Sequence, residues 1–349
     1  STKNQAEAVT LTIEDGSAHF QATTYTGNGG SNEVNQSGNS TFQPDFVWLK
    51  DRAGAHYAMI DAVRGANKGV RSSLNFAEYT ESNLSFDADG FSMTSAGSAA
   101  TINTSSNTYI GWQWLAGNST ASNSNGSITS TVSVNQTAGF SIVSWTGSGA
   151  NATIGHGLNA VPSWILIKNL ADADSWVVYH DSTGATKGTA LDTTGTPTTA
   201  STFFNDTAPT STVFSVGSGG RSNGDSDGMI AYCWAEIPGF SKFGAFSSGS
   251  SGDPFVECGF TPALIFLKRI SAADSWYVQD TARDPVNPAY RYLQWNSNAA
   301  EASNSSVYID IISNGFVCDL GGIVTSSDDM IFGAWAENPF AGTTPATAR

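Results

Sequence analysis

A solid apolar run that starts at a proline and ends at a lysine occurs three times in this chain. The copies are Pro44-Asp45-Phe46-Val47-Trp48-Leu49-Lys50, Pro162-Ser163-Trp164-Ile165-Leu166-Ile167-Lys168 and Pro262-Ala263-Leu264-Ile265-Phe266-Leu267-Lys268. Short aromatic and β-branched runs between turn signals predict strands buried on both faces, or nearly so. Proline has no N–H to give to a ladder, which places it at the first residue of such a strand. The lysine predicts where the strand leaves the core, with its stem on apolar surface and its head in water.

Other landmarks keep step. An aromatic residue and a small polar pair come before each run: Tyr25-Thr26-Gly27, Trp145-Thr146-Gly147 and Phe246-Ser247-Ser248. A second apolar strand closes each unit and ends at Trp114, Trp234 and Trp335. Alternating apolar and polar positions at Val9, Leu11 and Ile13, and again at Ile128, Val132 and Val134, predict a half-buried opening strand. In the first copy the pattern predicts further strands over 19–25, 57–60, 91–94 and 109–115, with turns at Asp15-Gly16 and Asp87 to Gly90.

These spacings predict an all-β chain of three tandem antiparallel β-sandwich, jelly-roll-like domains of about 100 residues, the usual size of one core. The expected boundaries are an arm over 1–8, repeats over 9–116, 128–237 and 238–341, and a tail over 342–349. Residues 117–127, Gly-Asn-Ser-Thr-Ala-Ser-Asn-Ser-Asn-Gly-Ser, have the composition of a flexible linker. The copies are thus expected as beads, with the first mobile. The second and third, joined without a linker at Ala235 to Phe240, are expected to pack rigidly.

Composition narrows the function. The formal net charge of -15 argues against nucleic acid and against an anionic membrane surface. No apolar stretch reaches transmembrane length, and the chain as given shows no signal peptide. Cys233, Cys258 and Cys318 form neither a disulfide framework nor a zinc spacing.

Catalytic chemistry finds no constellation. His19, His56, His156 and His180 fall at non-matching positions of the repeats, and His180-Asp181 is a dipeptide whose side chains diverge on a strand. Asn223-Gly224-Asp225-Ser226-Asp227-Gly228 resembles the start of a calcium loop, but Trp234 stands where the bidentate Glu belongs. A hairpin turn is the better reading, and neither metal nor cofactor is expected. Trp48, Trp114, Trp164, Trp234, Phe266 and Trp335 are expected in the core. Trp176 and Trp276 sit in matching Ala-Asp-Ser-Trp strings, with Tyr57 as their counterpart. Tyr290, Tyr292 and Trp295, in an unusual loop of the third copy, are the candidates for an exposed sugar-binding group. An inter-domain or inter-subunit contact is the alternative.

The strings Phe42-Gln43-Pro44-Asp45-Phe46-Val47-Trp48-Leu49-Lys50, Asp61-Ala62-Val63-Arg64-Gly65 and Phe86-Asp87-Ala88-Asp89-Gly90-Phe91 resemble a repeat of structural proteins in tailed, notably marine, bacteriophages. Ala336-Glu337-Asn338-Pro339-Phe340 and Pro345 to Arg349 are similar to the ends of such proteins. The second copy departs from the pattern by lacking the Asp-Gly-Phe turn, the third by lacking the Arg-Gly loop. The resemblance implies a virion protein without catalytic residues: a tail fibre or receptor-binding appendage, working as a homo-oligomer such as a trimer. Its partners would be other virion proteins and a host surface glycan. A capsid decoration or head-fibre protein is the near alternative, a secreted carbohydrate-binding adhesin a further one, and a polysaccharide-cleaving enzyme has no residues in its favour.

Overall fold

Each apolar run forms a strand paired on both sides within a sheet in the computed structural model of the protein, which describes residues 13–337 except 82, 98–100, 249–253, 306–307 and 320–327. The expected opening strand at Val9 to Ile13, the arm and the tail lie outside the described residues, apart from Ile13. In the first repeat the six-stranded order is Phe20–Thr26, Thr108–Trp114, Phe46–Asp51, Ala58–Asp61, Lys68–Val70 and Tyr79–Thr80. The third repeat repeats this order with Ser241–Ser247, Asp329–Trp335, Leu264–Arg269, Trp276–Asp280, Arg291–Gln294 and Ala302–Ser303. The second builds its sheet from Ala121–Asn123, Ser130–Asn135, Phe140–Thr146, Gly228–Ala235, Pro162–Asn169 and Val177–His180. The pairings of these sheets are antiparallel.

A smaller antiparallel sheet covers one face of each large one. It comprises Asn32–Asn35, Gly90–Met93 and Leu84–Asp87 in the first repeat, and Phe255–Glu257, Gly315–Asp319 and Tyr308–Ile312 in the third. The second repeat, lacking the Asp-Gly-Phe turn, has only Ala152–Gly155 with Val213–Val216. Val47, Leu49, Ala58 and Ile60 point into this outer layer with Val34, Leu84 and Phe91. Their neighbours Phe46, Trp48, Tyr57 and Met59 point the other way. Strand alternation thus sends two apolar sets from one run to opposite faces.

The inward sets of all three repeats meet in one cluster, which joins Trp48, Trp112 and Trp114 to Trp164, Trp234, Phe266, Trp276, Trp295 and Trp335. The repeats are therefore not beads. At the centre the closing strands bring Trp114, Trp234 and Trp335 together, with ring centroids 5.7, 5.8 and 6.0 Å apart and interplanar angles of 68–75°. Edge-to-face contact suits the quadrupoles of such rings. Further stacks cross between repeats: Phe46 on Tyr232 at 4.4 Å, Trp164 on Phe266 at 4.6 Å, and Trp295 on Trp48 at 4.3 Å. The pairing register puts Phe46, Trp164 and Leu264 on one level, each opposite a closing tryptophan. Trp48 is therefore the counterpart of Leu166 and Phe266, not of Trp164.

Residues 117–127 are part of this body, and the flexible linker expected there is replaced by paired backbone. Ala121–Asn123 pairs with Ser130–Asn135, Gly117 N donates to Ser133 Oγ, and Asn118 N donates to Asp45 Oδ2 at 3.1 Å. Strand Ser130–Asn135 covers the free edge of Phe140–Thr146. The other two repeats protect that edge with a carboxylate from the repeat before. Ala22 N donates to Glu337 Oε1 and Phe243 N to Glu236 Oε2, and both nitrogens are equivalent to that of Ile142 by register. Capping an open edge in this way blocks pairing with foreign strands.

The aromatic–polar–glycine landmark has a steric reason. A Cβ on Gly27 would lie 2.2 Å from Thr104 O, and one on Gly147 would lie 2.0 Å from Gly224 O. In both turns a buried asparagine, Asn103 or Asn223, binds the facing loop through both ends of its amide.

Candidate functional site

The polar chemistry of the chain collects in the seams between repeats. At the first seam Arg64 donates from Nε to Asp61 Oδ2 at 2.6 Å, from Nη1 to Glu78 and from Nη2 to Met59 O and to the Tyr232 hydroxyl. Tyr232 OH donates back to Asp61 Oδ2 at 2.8 Å. At the seam between third and first repeats Arg283 repeats these contacts, with Asp280 Oδ2 at 2.7 Å, Glu301 at 3.2 Å and Val278 O at 3.0 Å. There Trp112 Nε1 takes the part of the tyrosine and donates to Asp280 Oδ2 at 3.0 Å. Arg52 adds a bidentate pair to Glu301. The Arg-Gly loop is therefore not lost in the third repeat: its arginine survives as Arg283, three residues after Asp280, while Asp284 replaces the glycine.

Burial alone would lower the Arg64 and Arg283 guanidiniums, but the carboxylates beside them hold both above the ordinary value. Burial would likewise raise Glu301, and the hydrogen bonds and charges of Arg52 and Arg283 bring it below the usual carboxylate range. These groups are locked as ions in pairs, which suits structure rather than proton transfer.

The seam between second and third repeats is built differently. His180 stands where Asp61 and Asp280 stand, opposite the first residue of the level formed by Phe46, Trp164 and Leu264. Its Nδ1 lies against Ser182 N and, contrary to the expected divergence of the dipeptide, 3.1 Å from Asp181 Oδ1, while its Nε2 donates to Phe332 O at 3.1 Å. Trp276 Nε1 donates to Ala190 O at 3.0 Å, as Trp176 Nε1 does to Arg71 O at the first seam. A main-chain bond fastens each seam as well: Glu78 N to Leu170 O, Asp274 N to Thr194 O and Glu301 N to Arg52 O. First binds second, second binds third and third binds first, so the repeats close a ring.

The three repeat lysines do not reach water. Lys50, Lys168 and Lys268 are buried and act as backbone caps. Lys50 Nζ donates to Asp51 O, Gly54 O and Ala55 O, Lys168 Nζ to Asn169 O and Asp172 O, and Lys268 Nζ to Asp274 O and, across the seam, Thr194 O. An ammonium has three donors and no acceptor, so a turn of converging carbonyls satisfies it. Burial lowers each of the three to about 8.

The candidate sugar-binding residues separate. Trp295 is fully buried between Trp48, Trp112, Trp164 and Phe266, so it belongs to the central core and presents nothing to a surface ligand. Tyr290 and Tyr292 are half-buried, the first against Tyr308 and the second against Tyr277. Trp48, Trp114, Trp164, Trp234, Phe266 and Trp335 are buried in the same core as Trp295. At 223–228, Asn223 is committed to Trp145, Ser148 and Ala150, and Asp227 Oδ2 accepts from Asn169. Among the described residues no group of three or more His, Cys, Asp or Glu could hold a metal ion. The three thiols are buried, and burial pushes those of Cys233 and Cys258 up. No described helix is long and apolar enough to cross a membrane.

A family described as a domain of unknown function, DUF7483, matches residues 15–339. The chain belongs to the DUF7483 family. The match spans all three repeats and residues 117–127, so the unit it describes has the extent of the ring and not of one repeat. No curated protein matches the chain.

Proposed function

We propose that this DUF7483 protein is a non-enzymatic virion structural protein, a tail fibre or receptor-binding appendage for host attachment. The architecture in this reading is three tandem jelly-roll-like sandwiches joined as one ring. The observation that carries it is the use made of reactive side chains. Buried arginines, carboxylates, lysines and histidines are spent on fastening seams and turns. A scaffold held this way keeps its surface loops in fixed positions, which suits adhesion. Its partners would be further copies of itself, other virion proteins and a host surface glycan.

A capsid decoration protein is the second reading, favoured by the ring itself. One chain with three like repeats in cyclic contact can sit on a threefold position of a shell, where symmetry asks for three like faces. The test is copy number per purified particle, by quantitative mass spectrometry against the major capsid protein. A few to a few tens of copies support the appendage, hundreds support decoration, and absence from the particle overturns both.

A further inference from the structure

The seam between second and third repeats lacks the arginine–carboxylate cluster that fills the other two, and two cavities lie at it instead, one walled by the second repeat alone and one spanning both repeats. One, of about 220 Å³, is walled by Ser175, Thr189, Thr193, Thr196, Phe203 and Arg221. The other, of about 270 Å³, lies between Thr183, Lys187 and Thr196 of the second repeat and Ser271 and Asp329 of the third. Thr196 lines both, so the cavities lie on either side of one loop. Each is smaller than the pocket of about 300–1,000 Å³ that takes a drug-sized ligand, and each has room for part of an oligosaccharide.

The dividing loop is held in place without a ligand. Thr194 O accepts from both Lys268 Nζ at 3.0 Å and Asp274 N at 2.8 Å. Its side chains are hydroxyls, which both donate and accept hydrogen bonds. The charges are unusual for so acidic a chain. Elsewhere Arg52, Arg64, Lys68, Lys242, Arg269, Arg283 and Arg291 each stand against a carboxylate, and the buried Lys50, Lys168 and Lys268 against main-chain carbonyls. Arg221 and Lys187 form no ion pair among the described residues, and each lines one of these two cavities. Arg221 is held over the Phe203 ring, with Nε on Ser175 O and Nη2 on Trp176 O. This arrangement leaves Nη1 for something else.

We propose that this seam binds a short acidic oligosaccharide. Sugar hydroxyls would meet the Ser and Thr hydroxyls and the Asp329 carboxylate, and uronate or sulfate groups would meet Arg221 and Lys187 through charge-assisted bonds. The proposal gives the attachment reading its receptor class and rests on that reading for its biological sense. Binding is measured on the purified chain and attachment on particles, so either can fail alone.

The test is calorimetric titration of the full chain with trigalacturonate and with the neutral maltotriose, repeated on Lys187→Gln and Thr196→Trp. We expect the acidic trisaccharide to bind about tenfold or more tightly than the neutral one, the scale of one charge-assisted hydrogen bond. Lys187→Gln should weaken that binding with an unchanged melting temperature, and Thr196→Trp should abolish it. Equal affinity for the two sugars overturns the acidic class. Binding that neither variant weakens places the site elsewhere and overturns the proposal. So does the absence of binding to trigalacturonate and to alginate, hyaluronan and chondroitin sulfate fragments of similar length.

Discussion

Trp112 of the first repeat donates its indole N–H to the carboxylate of Asp280 in the third, at 3.0 Å, and so links strands from distant parts of the chain. The same carboxylate holds Arg283, whose side chain is fully buried. Removing Asp280 leaves that guanidinium, among the described residues, with only Glu301 as an ion-pair partner. Asp280→Ala should cost about 3–5 kcal/mol in urea unfolding, as for a broken buried pair. Trp112→Phe, which keeps the pair and loses only the indole donor to a charged group, should cost about 1.5–3 kcal/mol before packing losses. Replacing Asp280 and Arg283 together by Leu and Met should cost less than Asp280→Ala alone.

The shared core predicts that no repeat folds alone. A fragment of residues 128–237 would expose Phe140, Trp164, Tyr232 and Trp234, which the ring buries against its neighbours. We expect this fragment to bind a hydrophobic dye and to show poorly dispersed amide resonances. A well-dispersed spectrum with a cooperative melt would restore the picture of separate beads.

That picture came from the composition of 117–127, and its failure shows what was legible. The proline runs, the closing strands and the equivalence of Tyr57, Trp176 and Trp276 are readable in sequence, because strand period and spacing survive divergence. The ring was written in the same runs. A strand apolar on both faces needs a layer on each side, and a two-layer sandwich supplies only one. Polar low-complexity sequence conceals pairing such as that of Ala121–Asn123, where the bonds are main-chain bonds. Trp295 was misplaced because, three residues after Tyr292, it falls on the opposite side of an extended chain. The Asp-x-x-Arg spacing shared by Asp61–Arg64 and Asp280–Arg283 was the available signal for the seams. The cavities beside Thr196 had none, since hydroxyl-rich loops read alike whether or not they enclose space.

Alkaline pH should separate two kinds of buried group. Lys50, Lys168 and Lys268 lie at about 8 in the fold against 10.5 ordinarily. Between those values the unfolded chain binds more protons, so stability rises with pH by up to about 1.4 kcal/mol per pH unit for each lysine. Burial raises Tyr25, Tyr57, Tyr79 and Tyr232, so the fold keeps protons that the unfolded chain loses above about pH 10, and stability then falls. The urea midpoint should climb from about pH 8, turn over near pH 10, and climb less in Lys168→Met.

On the acid side, burial lowers His156 to about 4, and its ring is held neutral, with Nδ1 accepting from Leu158 N and Nε2 donating to Thr210 O. The unfolded histidine takes its proton at about pH 6.5, so stability should fall as pH drops from there toward 4. His156→Gln should lose that part of the slope in urea melts at successive pH values.

Glycine geometry gives a local test. Gly147→Ala drives a Cβ toward Gly224 O and should cost about 1–3 kcal/mol, the scale of overpacking. Gly184→Ala meets open space at a φ of +72° and should cost only the left-handed backbone penalty of about 1–2 kcal/mol. Paired thermal melts compare the two.

The central triad also sets a timetable. Trp114 and Trp234 leave the ribosome well before Trp335, and Asp280 well after its partner Trp112. Until the last closing strand arrives, two aromatic faces stand without their third neighbour, and long-range contacts of this kind form slowly. Synthesis of this protein therefore passes through an interval of exposed tryptophan that ends only when the strand Asp329–Trp335 has emerged. Chaperone demand and premature termination should both tell most heavily there.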